Sequence, residues 1–264
     1  MTDVPAQKPA ASQAAETDTH FGFASVPWSE KPGRVREVFD SVATRYDLMN
    51  DVMSGGLHRW WKSAFVDMLN PQSSDRIIDV AGGTGDIAMR ISDRVAARGG
   101  AHPQVIVCDI NEAMVRAGKA REKSARYPAI DWTVGDAERL PWADGAFDAY
   151  TIAFGIRNVR DHTGTLKEAY RVLKPGGRLM VLEFSHVAVP LLDTIYERYS
   201  FDVIPRLGGL VAGDRDSYQY LVESIRRFPT QSLFARRIAG AGFARVSYRN
   251  LSGGIVAIHS AWRV

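Results

Sequence analysis

Acidic residues that could hold a cationic ligand stand at four places in the sequence: Asp79, Asp86, Asp109 and Asp136. The first two flank the glycine-rich stretch 82–85, which follows a short apolar run. Glycine is needed where a ligand approaches the backbone or where φ is positive. Carboxylates here would repel the pyrophosphate of a dinucleotide, which binds as an anion at a helix N-terminus. They suit S-adenosylmethionine, which carries a sulfonium, an ammonium, a ribose and an adenine. The alternative is a strand and turn without a ligand.

Two later acids follow predicted strands and favour the same cofactor. Asp109 ends a strand about 30 residues after Asp79, where an acid can accept hydrogen bonds from both ribose hydroxyls. Asp136 could accept the exocyclic amine of adenine, and the N–H of Ala137 could donate to a ring nitrogen. Two alternatives stay open, because Asp109 could cap the next helix and Asp136 could belong to a surface turn. Taken together, the acids have the spacing expected of a Class I methyltransferase.

Alternating apolar patterns predict the elements that position these acids. Strands are predicted near residues 76–81, 104–109, 131–135, 147–154 and 178–184. Helices are predicted near residues 34–46, 58–69, 85–97, 112–125 and 163–173, with Pro175-Gly176-Gly177 as a helix stop and turn. The alternation predicts an α/β fold, a doubly wound, mostly parallel sheet with helices on both faces. In such sheets the ligand lies outside the carboxyl ends of the strands.

The remaining segments complete a single domain over residues 21–264, preceded by a disordered tail over residues 1–20. We expect residues 21–70 to form a helical cap, and residues 188–228 to form a helical insertion that covers the sheet as a lid. A helix is predicted over 231–241. Two strands, 244–250 and 254–262, then form a terminal hairpin whose last strand is antiparallel to the sheet.

The composition excludes several classes of protein. The net charge of +3 over 264 residues does not argue for a nucleic-acid partner. The single cysteine, Cys108, lies in an apolar run and is interpreted as a buried hydrophobe. One cysteine permits no internal disulfide, which fits a reducing compartment. No apolar stretch approaches the roughly 18 residues that span a bilayer, no targeting signal is evident, and no metal site is predicted.

Longer motifs carry a resemblance to a known family. They are Phe21-Gly22-Phe23, the stretches 45–51 (RYDLMND), 79–86 (DVAGGTGD), 154–158 (FGIRN) and 173–177 (LKPGG), and the stretches 214–221 (DRDSYQYL) and 253–257 (GGIVA). These resemble the UbiE family, which contains the C-methyltransferases of ubiquinone and menaquinone biosynthesis. The similarity covers nearly everything from residue 21 onward. Ala81 replaces the glycine that is common in methyltransferase loops, and alanine is usual there in this family.

The resemblance implies transfer of a methyl group from S-adenosylmethionine to a ring carbon of a polyprenylated hydroquinone, on a seven-stranded Class I fold. It implies cofactor contacts at Thr84, Asp109, Asp136 and Ala137. Ala153 stands where the family often has serine, so no hydroxyl contact is expected there. The other residues expected around the cofactor are Asp79, Gly82, Gly83, Gly85 and Ile110.

Carbon methylation requires alignment of the ring carbon with methyl and sulfur, and loss of a proton from a phenol whose ordinary pKa is about 10. Guanidinium is a poor base, so we expect Arg157 to stabilise phenolate charge, or to orient a water or carboxylate that takes the proton. The alternative for Arg157 is a structural ion pair, to Asp51 or Asp47. Asn158 could hold the ring oxygen or the cofactor.

Residues near the predicted cap and lid are the next candidates. Tyr46, assigned to the catalytic set, and its neighbours Asp47, Asn50 and Asp51 either cover the cofactor or cap helix ends. His186 follows the fifth predicted strand, and we interpret it as an incidental polar residue rather than a proton acceptor. An aromatic set could line a quinol and prenyl channel or form ordinary core: Tyr196, Tyr199, Phe201, Tyr218 and Tyr220.

A prenylated substrate resides in membrane, so the resemblance implies a cytoplasmic enzyme that docks at the inner membrane surface or joins a quinone-biosynthesis complex. The proposed contact is the insertion, with its arginines at 198, 206, 215, 226 and 227; the alternative is a solvated helical face. A homodimer is also considered. Competing functions are a nicotinamide oxidoreductase, disfavoured by the acids at the glycine loop, a cofactor-binding scaffold, and a methyltransferase of another small aromatic acceptor.

Overall fold

A computed structural model describes residues 18–42, 51, 54–187 and 215–264. Its strands are β1 (Asp18–Phe21), β2 (Ala24–Pro27), β3 (Arg76–Val80), β4 (Gln104–Asp109), β5 (Ile130–Val134), β6 (Phe147–Ala153), β7 (Leu173–Phe184), β8 (Ala244–Leu251) and β9 (Val256–Trp262). Its α-helices are α1 (Lys31–Val42), α2 (His58–Leu69), α3 (Asp86–Ala96), α4 (Glu112–Ala120), α5 (His162–Val172), α6 (Arg215–Arg227) and α7 (Gln231–Gly240).

The main sheet has seven strands in the order β5-β4-β3-β6-β7-β9-β8. The strands from β5 to β7 are parallel, whereas β9 pairs antiparallel with both β7 and β8. The chain runs outward from β3 to β5 and then returns to β6 on the other side of β3. The reversal of strand order opens a crevice above β3, where doubly wound sheets bind ligands. The predicted fold, with its antiparallel last strand, is confirmed.

Both faces of the sheet are covered, as the alternation of strands and helices predicts. Adjacent residues of β3 point to opposite sides: Ile77 packs in one apolar cluster with Phe65 of α2, and Ile78 packs in the other with Leu166 of α5. All four side chains are essentially inaccessible to solvent. Full burial of an aliphatic side chain of this size contributes roughly 1.5–3 kcal/mol, so the two clusters hold the crevice between rigid layers.

Helix α2 packs a continuous face against the sheet, at the spacing of a 3.6-residue period. The buried residues on that face are His58, Trp61, Lys62, Phe65, Val66 and Leu69. The helix ends at Asn70, which adopts a left-handed conformation with φ of 53° and donates its N–H to the carbonyl of Val66. One charged residue, Lys62, is therefore carried into the interior by an otherwise largely apolar face.

Three sequence-based boundaries were wrong. Residues 18–20 belong to β1, which pairs with β2 in a two-stranded hairpin, so the predicted tail does not extend to residue 20. Helix α1 begins at Lys31 rather than at residue 34, and residues 43–46 of the predicted helix lie outside the described residues. Pro175-Gly176-Gly177 does not simply separate helix from strand, because β7 already begins at Leu173. The three residues lie in a bulge of β7, where the register to β6 shifts and the N–H of Gly176 donates to the carbonyl of Arg263.

Parts of the predicted tail, cap and lid lie outside the described residues: 1–17, 43–50, 52–53 and 188–214. Within the predicted insertion, the structure describes α6, a 13-residue helix. None of the helices in the described ranges combines the length and hydropathy needed to cross a bilayer.

Candidate active site

A cleft with an empty volume of about 840 Å³, part of it open to solvent, lies at the carboxyl ends of β3, β4 and β5. It contains six of the residues predicted for the site: Gly83, Asp109, Ile110, Asp136, Ala137 and Asn158. A smaller cavity of about 370 Å³ adjoins it and contains Asp79, Gly82, Gly83, Thr84 and Ala153. The two cavities share Ala81, Gly83 and Phe154 in their walls, so these residues stand where the cavities adjoin.

The glycine-rich loop lies tight against the end of β3. A Cβ atom added at Gly82 would come within 2.8 Å of both the backbone oxygen and Oδ2 of Asp79, so glycine is required there by space. Gly83 has a φ of 54°, which glycine adopts without strain. Ala81 adopts a φ of 50° although it carries a Cβ. Strained backbone at a loop between two cavities is typical of a functional site.

Asp109 fixes this loop to the end of β4. Its Oδ2 accepts the N–H of Gly83 at 2.8 Å, and its Oδ1 accepts the N–H of Asn111 at 2.8 Å. The cap of α4 is Asn111, whose side chain accepts the N–H of Met114, so Asp109 is not the helix cap. Burial raises the pKa of Asp109, and the two N–H groups oppose that change. A carboxylate that lines the cleft in this position can accept hydroxyl donors from a ribose.

Asp136 lies across the same cleft, in a turn after β5. Its Oδ1 accepts the N–H of Glu138 at 2.9 Å, and its Oδ2 lies 3.2 Å from a guanidinium nitrogen of Arg160. Arg160 also pairs with Glu138 at 3.3 Å. Asp136 is thus both part of a turn and part of the cleft wall. Arg160 and Glu138 also line the cleft, and the sequence did not point to either of them.

Asp79 lies beneath the loop and is completely buried. Its Oδ1 accepts the hydroxyl of Thr151 at 2.8 Å, whereas Oδ2 has no hydrogen-bond partner among the described residues. Burial raises the pKa of Asp79 to about 7, the hydrogen bond from Thr151 opposes that change, and the charges of Asp109 and Asp86 add smaller upward contributions. A buried carboxylate oxygen without a partner carries an energetic cost, and a cationic ligand group nearby would remove it.

Asp86 begins α3 on the other side of the loop. Its Oδ2 lies 2.9 Å from Nζ of Lys62, and its Oδ1 lies 3.2 Å from Nε of Arg90. Burial raises the pKa of Asp86, but the two cations outweigh it and lower the pKa to about 2. The smaller cavity is therefore lined by the Lys62–Asp86 ion pair, of which Asp86 was among the acids named from the sequence and Lys62 was not.

These residues fit S-adenosylmethionine. The larger cleft offers Asp109 and Asp136 to a ribose and an adenine. The smaller cavity offers Asp79, with its unpartnered oxygen, and the Lys62–Asp86 pair to the amino-acid end. Three amides of the loop are not available to a phosphate, because the N–H of Gly83 donates to Asp109, that of Gly82 to the carbonyl of Cys108 and that of Gly85 to the carbonyl of Gly82.

Arg157 does not line either described cavity. Its Nη1 donates to Oε1 of Glu183 at 2.8 Å and to the carbonyl of Phe154, and the ion pair is almost fully buried, with 4% and 1% of the side chains exposed. Burial raises the pKa of Glu183, while Arg157 and the N–H of Phe184 oppose it. The alternative of a structural ion pair was therefore right in kind, but its partner is Glu183. The proposed partner Asp51 pairs with Arg59 at 2.7 Å.

Asn158 is the member of the predicted catalytic set that the structure places in the cleft. The hydroxyl of Tyr220, on α6, donates to its Oδ1 at 3.1 Å, and the ring of Tyr220 stacks on Phe21 with centroids 4.2 Å apart. Because the amide oxygen is occupied, the amide N–H groups of Asn158 are the donors left for a ligand. The third member, Tyr46, lies outside the described residues.

Three further candidates, Gly85, His186 and Cys108, lie among the described residues. Gly85 lines neither described cavity and is instead the N-cap residue of α3, with a φ of 78°. His186 has Nε2 within 2.8 Å of the carbonyl of Phe228, consistent with an incidental polar residue. Cys108 is fully buried, and burial together with three nearby acids raises its pKa to about 12. Residues outside the described ranges include Asp47, Asn50, Tyr196, Tyr199, Phe201, Arg198 and Arg206.

A family model described as the ubiE/COQ5 methyltransferase family matches residues 28–263. The "Ubiquinone/menaquinone biosynthesis C-methyltransferase UbiE" of Methylobacterium nodulans is 60% identical over 253 residues, covering 95% of this chain and 99% of that protein. The protein of the same name from Paracoccus denitrificans is 56% identical over 248 residues, covering 94% and 97%.

Solved structures share the fold at low identity. A SAM-dependent methyltransferase of Thermotoga maritima aligns with a TM-score of 0.59 at 21% identity, covering 86% of this chain and 99% of that one. The [4+2]-cyclase SpnF aligns with a TM-score of 0.61 at 17% identity, covering 87% and 94%. Since one neighbour is a cyclase, the fold alone does not determine the reaction.

Proposed function

Because this chain belongs to the ubiE/COQ5 methyltransferase family, we propose that it methylates a ring carbon of a polyprenylated hydroquinone in ubiquinone or menaquinone biosynthesis. The carrying observation is that relatives named for this reaction are 52–60% identical over nearly the whole chain. The similarity is therefore not confined to the cofactor half, which many methyltransferases share. The predicted methyl transfer from S-adenosylmethionine is confirmed by the family.

The bound cofactor supplies an electrophilic methyl group, and the residues of this chain supply orientation. Asp109 and Asp136 would hold the ribose and adenine of the cofactor and so orient it in the cleft. The amide of Asn158, held by Tyr220, donates to the ring oxygen on which negative charge develops. Arg157 and Glu183 hold the turn from Phe154 to Asn158 in place. Arg157 thus acts through Asn158 in this proposal.

The apolar part of the larger cleft supports an aromatic acceptor. Val35 of α1, Met114 of α4, and Phe154 and Val159 after β6 contribute to its wall. Apolar walls with a few fixed polar groups are the usual composition of a small-molecule site. An acceptor ring would lie between these side chains and meet Asn158 at the polar end.

We also propose contact with a membrane surface, because a prenylated substrate resides in membrane, and α6 offers a candidate site for it. Arg227 donates to the carbonyl of Phe23 at 3.0 Å and lies 5.6 Å from the centroid of its ring. The Phe23 side chain is 49% exposed, so an aromatic ring and a cation stand together at the surface. Such a pair suits an anionic bilayer.

Phe23→Ser should reduce sedimentation of the protein with anionic vesicles, and unchanged sedimentation would contradict this contact. A homodimer or a quinone-biosynthesis complex stays a prediction.

The test of the proposed reaction is a turnover assay with purified protein and methyl-labelled S-adenosylmethionine. Two reduced prenylated acceptors are compared, a methoxy-benzoquinol and a demethylnaphthoquinol. Label in the ring of either one supports the proposal and identifies the pathway. Asn158→Ala is the matched control, which should bind cofactor normally and lose turnover. Normal cofactor binding without transfer to either acceptor would instead favour another small aromatic acceptor or a scaffold role.

A further inference from the structure

Lys62 occupies an unusual position for a lysine. It lies on the buried face of α2 between Trp61 and Phe65, and only 5% of the residue is exposed. Lysine is almost never buried to this degree unless it is paired. Its ammonium lies 2.9 Å from Oδ2 of Asp86, and its side chain lines the smaller cavity. The residue therefore brings a positive charge to the wall of a cavity beside the cofactor loop.

The partner acid has a second cation besides this lysine to stabilise its charge. Asp86 stands in the first turn of α3, where the helix dipole favours a carboxylate. Arg90, one turn later in the same helix, already pairs with Oδ1 of Asp86 at 3.2 Å and does not line the cavity. Asp86 thus forms ion pairs with both Lys62 and Arg90, and of these two cations only Lys62 lines the smaller cavity.

Among the described residues, the ammonium of Lys62 has donors left for a ligand. An ammonium carries three N–H groups, and Asp86 is the described residue that accepts one of them. The cavity that it lines also contains Thr84 and Gly82 of the loop. A ligand group that enters this cavity meets N–H donors from a fixed cation.

The shape of the site determines which group that is. An adenosyl moiety in the larger cleft, near Asp109 and Asp136, would extend past Ala81 and Gly83 into the smaller cavity. That end of S-adenosylmethionine carries an ammonium and a carboxylate. The acids of the smaller cavity suit the ammonium. We propose that Lys62 binds the α-carboxylate of S-adenosylmethionine, with Asp86 holding the lysine in position.

This assignment makes Lys62 a positioning residue for methyl transfer. Anchoring the carboxylate at one end and the ribose at Asp109 at the other fixes the sulfonium between them. Alignment of the methyl group with the acceptor carbon depends on that placement. The inference rests on the cofactor and not on the quinol acceptor, so its test is independent of the proposed function.

The experiment is calorimetric titration of wild type and Lys62→Met with S-adenosylmethionine and with its decarboxylated analogue. The analogue keeps the sulfonium and the ammonium but lacks the carboxylate. We expect Lys62→Met to weaken binding of S-adenosylmethionine by about 10-fold to 100-fold, the range for a hydrogen bond between charged groups. Binding of the decarboxylated analogue should change by less than about 3-fold. Lys62→Gln gives the same readout should the methionine variant not fold.

Arg90→Met is the matched control, because it removes the other cation from Asp86 and leaves Lys62 in the cavity wall. It should leave the preference for the carboxylated ligand as in wild type. The proposal is overturned if Lys62→Met weakens both ligands equally, since that marks a structural role. It is also overturned if Arg90→Met reproduces the selective loss, or if neither lysine variant changes the affinity for S-adenosylmethionine.

Discussion

Two buried ion pairs lie near the same edge of the sheet, and they differ in what they leave available. Arg157–Glu183 is closed: almost none of either side chain is exposed, and both carboxylate oxygens accept hydrogen bonds from protein groups. Lys62–Asp86 is open: both residues line a cavity, and 23% of the Asp86 side chain is exposed. We infer from this difference that Arg157–Glu183 stabilises the fold, whereas Lys62–Asp86 is placed to bind a ligand in the cavity.

Removing one partner of the closed pair should have the largest effect on folding. Glu183→Gln leaves the guanidinium of Arg157 buried without a counter-charge, which costs about 3–5 kcal/mol. Asp86→Asn should cost less, because the acid is partly exposed. Urea unfolding of both variants measures the two losses.

The double variant Arg157→Met with Glu183→Leu provides the control for charge. It removes both charges and should recover much of the stability lost by Glu183→Gln, since apolar replacement of a buried pair is often nearly neutral. Equal stability of wild type and Glu183→Gln would contradict the claim that the Arg157–Glu183 pair stabilises the fold.

Asp79, which lines the same cavity as Lys62 and Asp86, should make the free energy of unfolding depend on pH. The pKa of Asp79 is about 7 in the folded protein, above the value near 3.9 of an unfolded chain. The folded state therefore keeps this proton longer. Stability from Asp79 is fully present below about pH 4 and is lost as the pH rises through 7, by about 4 kcal/mol at most.

Asp79→Asn removes this titration, so its unfolding free energy should fall less than that of wild type between pH 5 and pH 8. Asp131→Asn, at an exposed position, is the control and should follow wild type. Asp86 contributes in the opposite direction, because its pKa is lowered to about 2. Its stabilisation is present above about pH 4 and is lost on further acidification. Parallel pH profiles for wild type and Asp79→Asn would show that Asp79 is already ionised.

The sequence predicted the fold well because periodicity and strand-end acids are local signals. Helix α2 lies at the predicted residues, and Asp109 and Asp136 reach one cleft because parallel strands end at one edge. The partner of Arg157 could not be predicted in the same way, since Glu183 lies 26 residues away on the next strand. Lys62 could have been found, because it stands at a buried position in the periodic pattern of α2.

Two single substitutions, Asp109→Ala and Arg157→Lys, should distinguish residues that bind the cofactor from residues that affect turnover. Asp109→Ala removes the acceptor proposed for the ribose and the anchor of Gly83, and should weaken S-adenosylhomocysteine binding by about 100-fold. Arg157→Lys keeps a charge near Glu183 but changes the geometry that holds Asn158. It should lower turnover by about 10-fold or more while affinity stays near that of wild type. Calorimetry and the labelled-methyl assay distinguish the two, and an equal loss of affinity in both variants would contradict these roles.

The smallest expected effect lies where the two cavities meet, at Ala81 and Gly155. A Cβ atom added at Gly155 would come within 2.5 Å of the Cβ of Ala81, so alanine at position 81 requires glycine at position 155. Gly155→Ala should cost roughly 1–3 kcal/mol by overpacking. Adding Ala81→Gly removes the clash and also relieves the left-handed backbone of residue 81, where φ is 50°. The double variant should therefore be more stable than Gly155→Ala in thermal unfolding, and additive losses would show that the two positions are not coupled.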